Sequence, residues 1–372
     1  MRPTAARLPL AFGIFGVVWG AWQAVLPDLA AQHGLSSGPL GAILTLGFAA
    51  SLPAMIVAGR LLDRAGAGWG IAVPAVAMAV ALLAIGGVPS TAVLVVAVVV
   101  FASGSGAYDV AINGAAMGDE AWSGPGRLTL LHAAFSGGGV VGAVGGGLVV
   151  GSGIEFQAVY VVLAAALLMM GAAALRPAWR GASTGGAVPR SVALAMLPRA
   201  ALAGLAFLAE GSMETWSAIY LRDVLGAAAL VGALGPAAFH GAMFVGRLVG
   251  AGVAGWLGAP TTLLVGGLMT LVGMAAALLV TEPAAAIPGM AVAALGASFV
   301  VPVVVSLAAR RAGAHAGRAA SYVLTLGYAG FLVGPSLVGI GGELVGLRLA
   351  LVVVPVAAAL IAVGSRTSVA RG

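Results

Sequence analysis

The sequence predicts an all-α polytopic membrane protein, with twelve transmembrane helices in two pseudo-symmetric six-helix bundles. Three observations carry this. Apolar segments follow one another almost end to end, each near the ~20 residues that cross a ~30 Å bilayer core as a helix. Hydrophobic residues make up 61% of the chain and charged residues 8%, with a mean hydropathy of +1.12, whereas soluble domains are nearer a quarter charged. A single long polar interruption, 176–199, rich in Gly, Pro, Ser and Arg, divides the chain near its middle.

The expected spans are 8–30, 38–61, 70–88, 91–116, 128–151, 156–175, 196–222, 229–256, 260–280, 284–309, 318–341 and 344–364. The first follows Arg7; it is too long for the apolar core of a secretory signal and lacks a small-x-small cleavage site, so it reads as a retained span. The second ends in a polar turn, Gly59 to Gly66. The fourth carries a polar stripe and the fifth two glycine runs, Gly137–Gly139 and Gly145–Gly147. Gly totals 59, many inside spans, where small residues let helices approach closely in lipid; a codon bias toward Gly, Ala, Val and Arg is the competing explanation. The seventh span holds two acids, the eighth a histidine and an arginine, and the eleventh two tyrosines. The expected organisation is an N-terminal bundle over 1–178, a cytoplasmic linker over 179–195 and a C-terminal bundle over 196–372. The remaining loops are too short for a soluble domain.

Charge sets the orientation. All 17 basic residues are arginines. With the N-terminus inside, Arg2, Arg7, Arg60, Arg64, Arg127, Arg176, Arg180, Arg190, Arg199, Arg310, Arg311, Arg318, Arg366 and Arg371 fall on the cytoplasmic side. Arg247 leans the same way, and Arg222 and Arg348 fall outside. This is the positive-inside bias. It predicts a multi-pass plasma-membrane protein, the bacterial inner membrane, with both termini cytoplasmic. The pI of 10.7 is therefore a topology signal and no nucleic-acid partner is expected. There is no Cys, the four His are dispersed and H-E-x-x-H is absent. No metal, cofactor or enzymatic activity is expected, and a monomer is.

Weak echoes between the halves suggest duplication. Ala54-Met55 then Gly59-Arg60-Leu61 parallels Ala242-Met243 then Gly246-Arg247-Leu248, and Trp22 and Asp28 parallel Trp216 and Asp223. Arg127 before the fifth span parallels Arg318 before the eleventh. Parallel repeats of this kind build some transporter folds.

An ionisable side chain in hydrocarbon is costly and marks a candidate site. Ser105, Asp109 and Asn113 recur every four residues on the fourth span and face one way. Counting rise per residue puts Asp109 at the depth of Ser136 and Asn113 at that of His132 on the fifth span, roughly 10 Å inside the cytoplasmic face. Either a proton site or a hydrogen-bonded helix clamp fits. On the seventh span Glu210, Glu214 and Ser217 share a face. Two carboxylates one turn apart do not both ionise cheaply in low dielectric, so this pair is the expected place to load and release a proton; pairing of Glu210 with His240 or Arg247 is the structural alternative. His240, near the middle of the eighth span, is either a relay or a buried hydrogen-bonded histidine. Trp19, Gln23, Trp216, Tyr322 and Thr325 are the expected lining of a solute cavity, the alternative being an interfacial aromatic belt, which suits Trp122 and Trp179 better.

Gly59-Arg60-Leu61-Leu62-Asp63-Arg64-Ala65-Gly66 resembles the G-x-L-a-D-r-x-G-r-k signature of the major facilitator superfamily, with Ala67 and Gly68 in place of its basic pair. Tyr108 to Asn113, Gly126-Arg127, His132 to Ser136, Ala209 to Gly211 and Trp216 to Asp223 resemble a bacterial inner-membrane branch. That branch is distantly similar to sugar:proton symporters of the fucose-permease type. The resemblance implies a cytoplasmic gate motif of Gly59, Asp63, Arg64, Gly66 and Arg127, in which Asp63 takes part in a charge clamp. Asp119 and Glu120 would join that network with Arg310 and Arg311. The chain departs from the family in lacking an arginine on the fourth span and a Gly-Pro pair on the fifth, which counts against drug:proton antiport. The expected function is a secondary active transporter of a small solute working by alternating access. Glu210, with Glu214 or Asp109, is the expected proton coupler and His240 and Asn113 are further candidates. An uncoupled facilitator, lipophilic efflux, or a non-transporting sensor on the same fold are the alternatives.

Overall fold

The computed structural model describes residues 3–88, 90–123, 127–175 and 190–366. Among them twelve helices are long and apolar enough to cross a membrane. They are α1 (Arg7–Gln32), α2 (Ser37–Leu62), α3 (Arg64–Gly87), α4 (Thr91–Met117), α5 (Leu128–Gly151), α6 (Gln157–Ala174), α7 (Ser191–Val224), α8 (Ala229–Leu257), α9 (Ala259–Leu279), α10 (Pro283–Ala312), α11 (Arg318–Val345) and α12 (Leu347–Gly364). No strand occurs among the described residues. The helices follow the apolar segments because hydrocarbon offers no partner for an open backbone, so each spanning segment must close its own hydrogen bonds.

Sequence and structure differ most between α2 and α3. The loop expected before residue 70 is not a loop: Arg64 already lies on helical backbone, and the turn is concentrated at Gly66, with φ 80° and ψ 168°. That conformation suits glycine alone among the common residues. A Cβ there would touch nothing within 4 Å, so the requirement is one of backbone torsion rather than space. α7 ends in a π-helical turn, Tyr220–Val224, and α10 is interrupted at Phe299.

The chain forms two compact units. One comprises Met1–Thr184 with Ala228–Ala233, the other Gly185–Ala227 with Leu234–Gly372. Of the linker expected over 179–195, residues up to 189 lie outside the described ones.

Glycine sets the internal seams of each unit. In the first, a Cβ on Gly16 would strike the Phe135 carbonyl, one on Gly20 the backbone of Gly139, and one on Gly142 the Val17 carbonyl, so α1 and α5 lie backbone to backbone. Gly47 meets Val98 and Ala102 to join α2 to α4, and Gly171 meets Ala72 and Ala75 to join α6 to α3. The second unit repeats these pairings six helices on. Gly330 and Gly334 meet Gly204 and Leu208 (α11 with α7), Gly246 meets Ser298 (α8 with α10), and Gly267 meets Ala358 and Ala362 (α9 with α12). These positions give the glycine content a packing role, and the same helix pairings recur in the two units.

Aromatic rings fill the first unit. Trp22 stacks on Phe101 at 4.9 Å and on Tyr160 at 5.9 Å, and Tyr108 packs against Phe15 at 5.1 Å while donating its hydroxyl to the Ala11 carbonyl at 3.3 Å. In the second unit the Tyr220 hydroxyl donates to the Ala277 carbonyl, and Arg348, 5.9 Å over the Tyr220 ring, donates to the Leu278 carbonyl at 3.0 Å. The π-helical turn is thereby tied to the end of α9.

Candidate functional site

The second unit brings four ionisable side chains together. On α7 the 3.6-residue period places Glu210 and Glu214 one turn apart on one face, and both are more than nine-tenths buried. On α8 His240 and Arg247 stand two turns apart and project toward that face. His240 Nε2 lies 3.7 Å from Glu214 Oε1, with the His240 residue 1% exposed. Arg247 interacts electrostatically with Glu210, Glu214 and the Tyr328 hydroxyl of α11, and also with His240. With Tyr328, the two acids, the imidazole and the guanidinium thus form one cluster across three helices, with the acids and the imidazole buried and Arg247 and Tyr328 half-buried. Tyr328 is one of the two tyrosines noted on the eleventh span, read there as aromatic lining and not as a partner of the ionisable groups. Its signal was an aromatic on a helix already noted as polar, with nothing in the sequence to say which face it takes.

The cluster's surroundings hold it in place. Trp216, fully buried, donates its indole N–H to the Pro335 carbonyl at 3.1 Å, clamping α7 to α11. Phe239 meets His240 edge-on at 5.3 Å, and Phe207 packs against Tyr328 at 5.0 Å. Tyr322 packs against the apolar core of the unit, and Thr325 is exposed.

The first unit holds a second polar group. Asn113 donates to Asp109 twice, to Oδ1 and to the backbone carbonyl, each at 2.9 Å, so the stripe on α4 is tied along its own helix. Ser105 and Ser136 are buried, and His132 packs edge-on against Phe12 at 5.4 Å. Trp19, half-buried, lies parallel to Phe48 at 6.4 Å, and Gln23 is 2% exposed. In the gate motif, Gly66 forms the turn, Arg64 is exposed and Gly59 has open space where a Cβ would be. The side chains of Asp63, Asp119, Glu120 and Arg127 lie outside those described, as do Trp122 and Trp179. Among the described residues no group of three His, Cys, Asp or Glu is placed to hold a metal ion.

Fold and site together define a class: polytopic helical membrane proteins with ionisable groups buried in the helical bundle. Residues 8–335 match the family model of the Major Facilitator Superfamily, and the chain belongs to that family. It is 32% identical over 353 residues to an uncharacterized MFS-type transporter of Yersinia pestis, covering 92% of this chain and 89% of that one. Its fold resembles the crystal structure of a variant of the nucleoside transporter NupG (TM-score 0.79, 12% identity, 97% of this chain and 98% of that one). It also resembles the E. coli fucose:proton symporter FucP (TM-score 0.65, 17% identity, 97% of each chain). The family's fold is that of membrane transporters of small solutes.

Proposed function

We propose that this protein is a secondary active transporter that couples movement of a small solute to protons, with the Glu210–Glu214–His240–Arg247 cluster as the coupling centre. The observation that carries the reading is the buried Glu214–His240 approach at 3.7 Å beside a second carboxylate and an arginine. Arg247 keeps its charge at all working pH values. With one proton shared among Glu210, Glu214 and His240, the cluster is neutral. With none it carries one negative charge, and with two it carries one positive charge. Burial of net charge is costly, so the neutral count is favoured until something alters the local charge. A solute that brings or displaces charge, or a change in water access, shifts that count by one proton. That is the elementary step of coupling.

The rest of the reading rests on the sequence. The bodies carried on 1–178 and 196–372, joined through 179–195, alternate access to the solute. Trp19, Gln23, Trp216, Tyr322 and Thr325 are proposed to serve the solute cavity, Asp109 and Asn113 to assist on the first unit, and Gly59, Asp63, Arg64, Gly66 and Arg127 to form a cytoplasmic gate. The arginine distribution supports cytoplasmic termini in a bacterial inner membrane, and the chain is proposed to work as a monomer in symport.

The test is thermal stability of the purified protein across a solute library at mildly acidic and mildly alkaline pH, for wild type, Glu210→Gln and Glu214→Gln. A bound solute raises the melting temperature by mass action. A stabilising solute whose effect depends on pH in wild type, and loses that dependence in both variants, is the expected result. A solute that stabilises all three equally at both pH values points instead to an uncoupled facilitator.

A further inference from the structure

The end of the second unit that the arginine bias orients toward the cytoplasm holds a buried cation outside the ionisable cluster. Arg199 lies on α7 eleven residues before Glu210, ~16 Å along the axis at the helical rise, so neither acid of the cluster reaches it. It is 5% exposed, beside Met196, Ala200 and Ala203, which enter an apolar core shared with Leu307 of α10 and Ala319 of α11. A guanidinium keeps its charge at all working pH values and carries five N–H donors. Here Nη1 makes one long bond, to the Ala195 carbonyl at 3.4 Å, and the buried Nε has no partner. The bond to Ala195, one turn back, shows the side chain leaning toward the start of α7, as helical side chains do. Among the described residues the charge that acts on Arg199 is of its own sign: Arg311, exposed on the last turn of α10. The acids of 190–366 are Glu210, Glu214, Asp223, Glu282 and Glu343, all in the middle of α7 or at the opposite ends of the helices. The helix of α11 starts at Ala316, with no acid in its first turn and no side-chain cap from His315, and sends Ala319 into the same core. The N–H groups of such a first turn add positive potential.

Topology asks only for a cation at this end of a span, and an exposed one serves. A buried, underbonded guanidinium facing a second one is costly unless an anion joins them. We propose that Arg199 and Arg311, with the N-terminus of α11, form a binding site for a phosphate group, carried by an anionic lipid headgroup or by a soluble phosphate ester. Arginine presents a planar fork of donors that matches phosphate oxygens. The phosphate enters beside the exposed Arg311, gives separate oxygens to the two guanidiniums and offsets their repulsion. Once occupied, the site ties the start of α7 to the end of α10. The ligand then acts on the helix that carries Glu210 and Glu214 without touching either acid, and its binding does not depend on their coupling role.

The test is the melting temperature of the delipidated full chain in detergent and phosphate-free buffer, titrated with inorganic phosphate, glycerol 3-phosphate or phosphatidylglycerol in mixed micelles. Stabilisation of wild type is expected, with the half-maximal ligand concentration raised ~10-fold or more in Arg199→Gln and in Arg311→Gln, the scale of a lost hydrogen bond to a charged group. Arg310→Gln, which removes the neighbouring exposed charge now bonded to Ser306 Oγ at 3.4 Å, is the control and titrates as wild type. Without ligand, Arg199→Gln is expected to melt no lower than wild type, because it removes a buried charge that lacks a partner. Arg311→Gln, at an exposed position, carries the test if Arg199→Gln does not fold. Stabilisation by phosphatidylglycerol alone assigns the site to a lipid headgroup, and stabilisation by the soluble phosphates as well assigns it to a soluble ester. No stabilisation by any of the three probes overturns the site. Equal losses in all three arginine variants also overturn it, since diffuse positive charge then suffices.

Discussion

At the scale of single residues, the candidate site shows what a linear sequence reports well and what it does not. Glu210 and Glu214 were legible because an acid inside an apolar run is conspicuous and a spacing of four puts two on one face. The partnership between Glu214 and His240 was not, because it depends on the rotation of α8 about its axis. Trp216 makes the same point. In the sequence it is an aromatic near two acids and a candidate for lining a cavity; in the structure it is fully buried with its indole N–H on the Pro335 carbonyl. Trp216→Phe keeps most of the ring and removes the donor. It is expected to destabilise the protein by about 1–3 kcal/mol, the cost of a buried carbonyl losing its partner, read as a lower apparent Tm in detergent. Asp109 and Asn113 are bonded to each other along α4, a short-range choice open to any Asx residue one turn from another.

At the scale of elements, helix existence was nearly all written in hydropathy, and most ends fall within a few residues of the expected ones. The exceptions have causes. α2 and α3 form one helical stretch, Ser37–Gly87, broken only at Gly66, because a single glycine torsion makes the turn and leaves Arg64 and its neighbours helical. The helix of α7 is already formed at Arg190, earlier than the expected 196, because a helix does not need apolar residues where it leaves the hydrocarbon. Seams between helices were legible only as glycine abundance; which glycines face which helix came from the structure. Gly330→Leu is the sharpest probe of the α7–α11 seam, since even a Cβ there meets the backbone of Gly204. Overpacking of this kind typically costs about 1–3 kcal/mol or more, whereas Gly252→Leu on α8, with nothing within 4 Å of the Cβ position, is expected to be tolerated. Comparing the melting temperatures of the two variants checks the seam.

At the scale of the whole molecule, twelve spans and the asymmetry of the arginines make a topological prediction. A reporter active only outside the cytoplasm is expected to be active when fused at Gly153 and silent when fused after Arg366. A reporter fluorescent only in the cytoplasm gives the opposite pattern. Inverted results would reverse the orientation drawn from the positive-inside bias. Family and fold were legible at this scale because bilayer thickness imposes one length on every span and the Gly59–Gly66 stretch adds a signature. The solute was not legible, because a lining of Trp, Tyr, Gln and Ser suits many chemistries. The glycine seams bear on how such a site works. α7 and α11 share one seam and α8 and α10 another, so Glu210, Glu214 and Tyr328 travel on one stiff pair while His240 and Arg247 travel on a second. The ionisable cluster therefore bridges two mechanical parts like a coupling pin between carriages, and a slip of one pair against the other by a fraction of a helical turn is enough to exchange its partners.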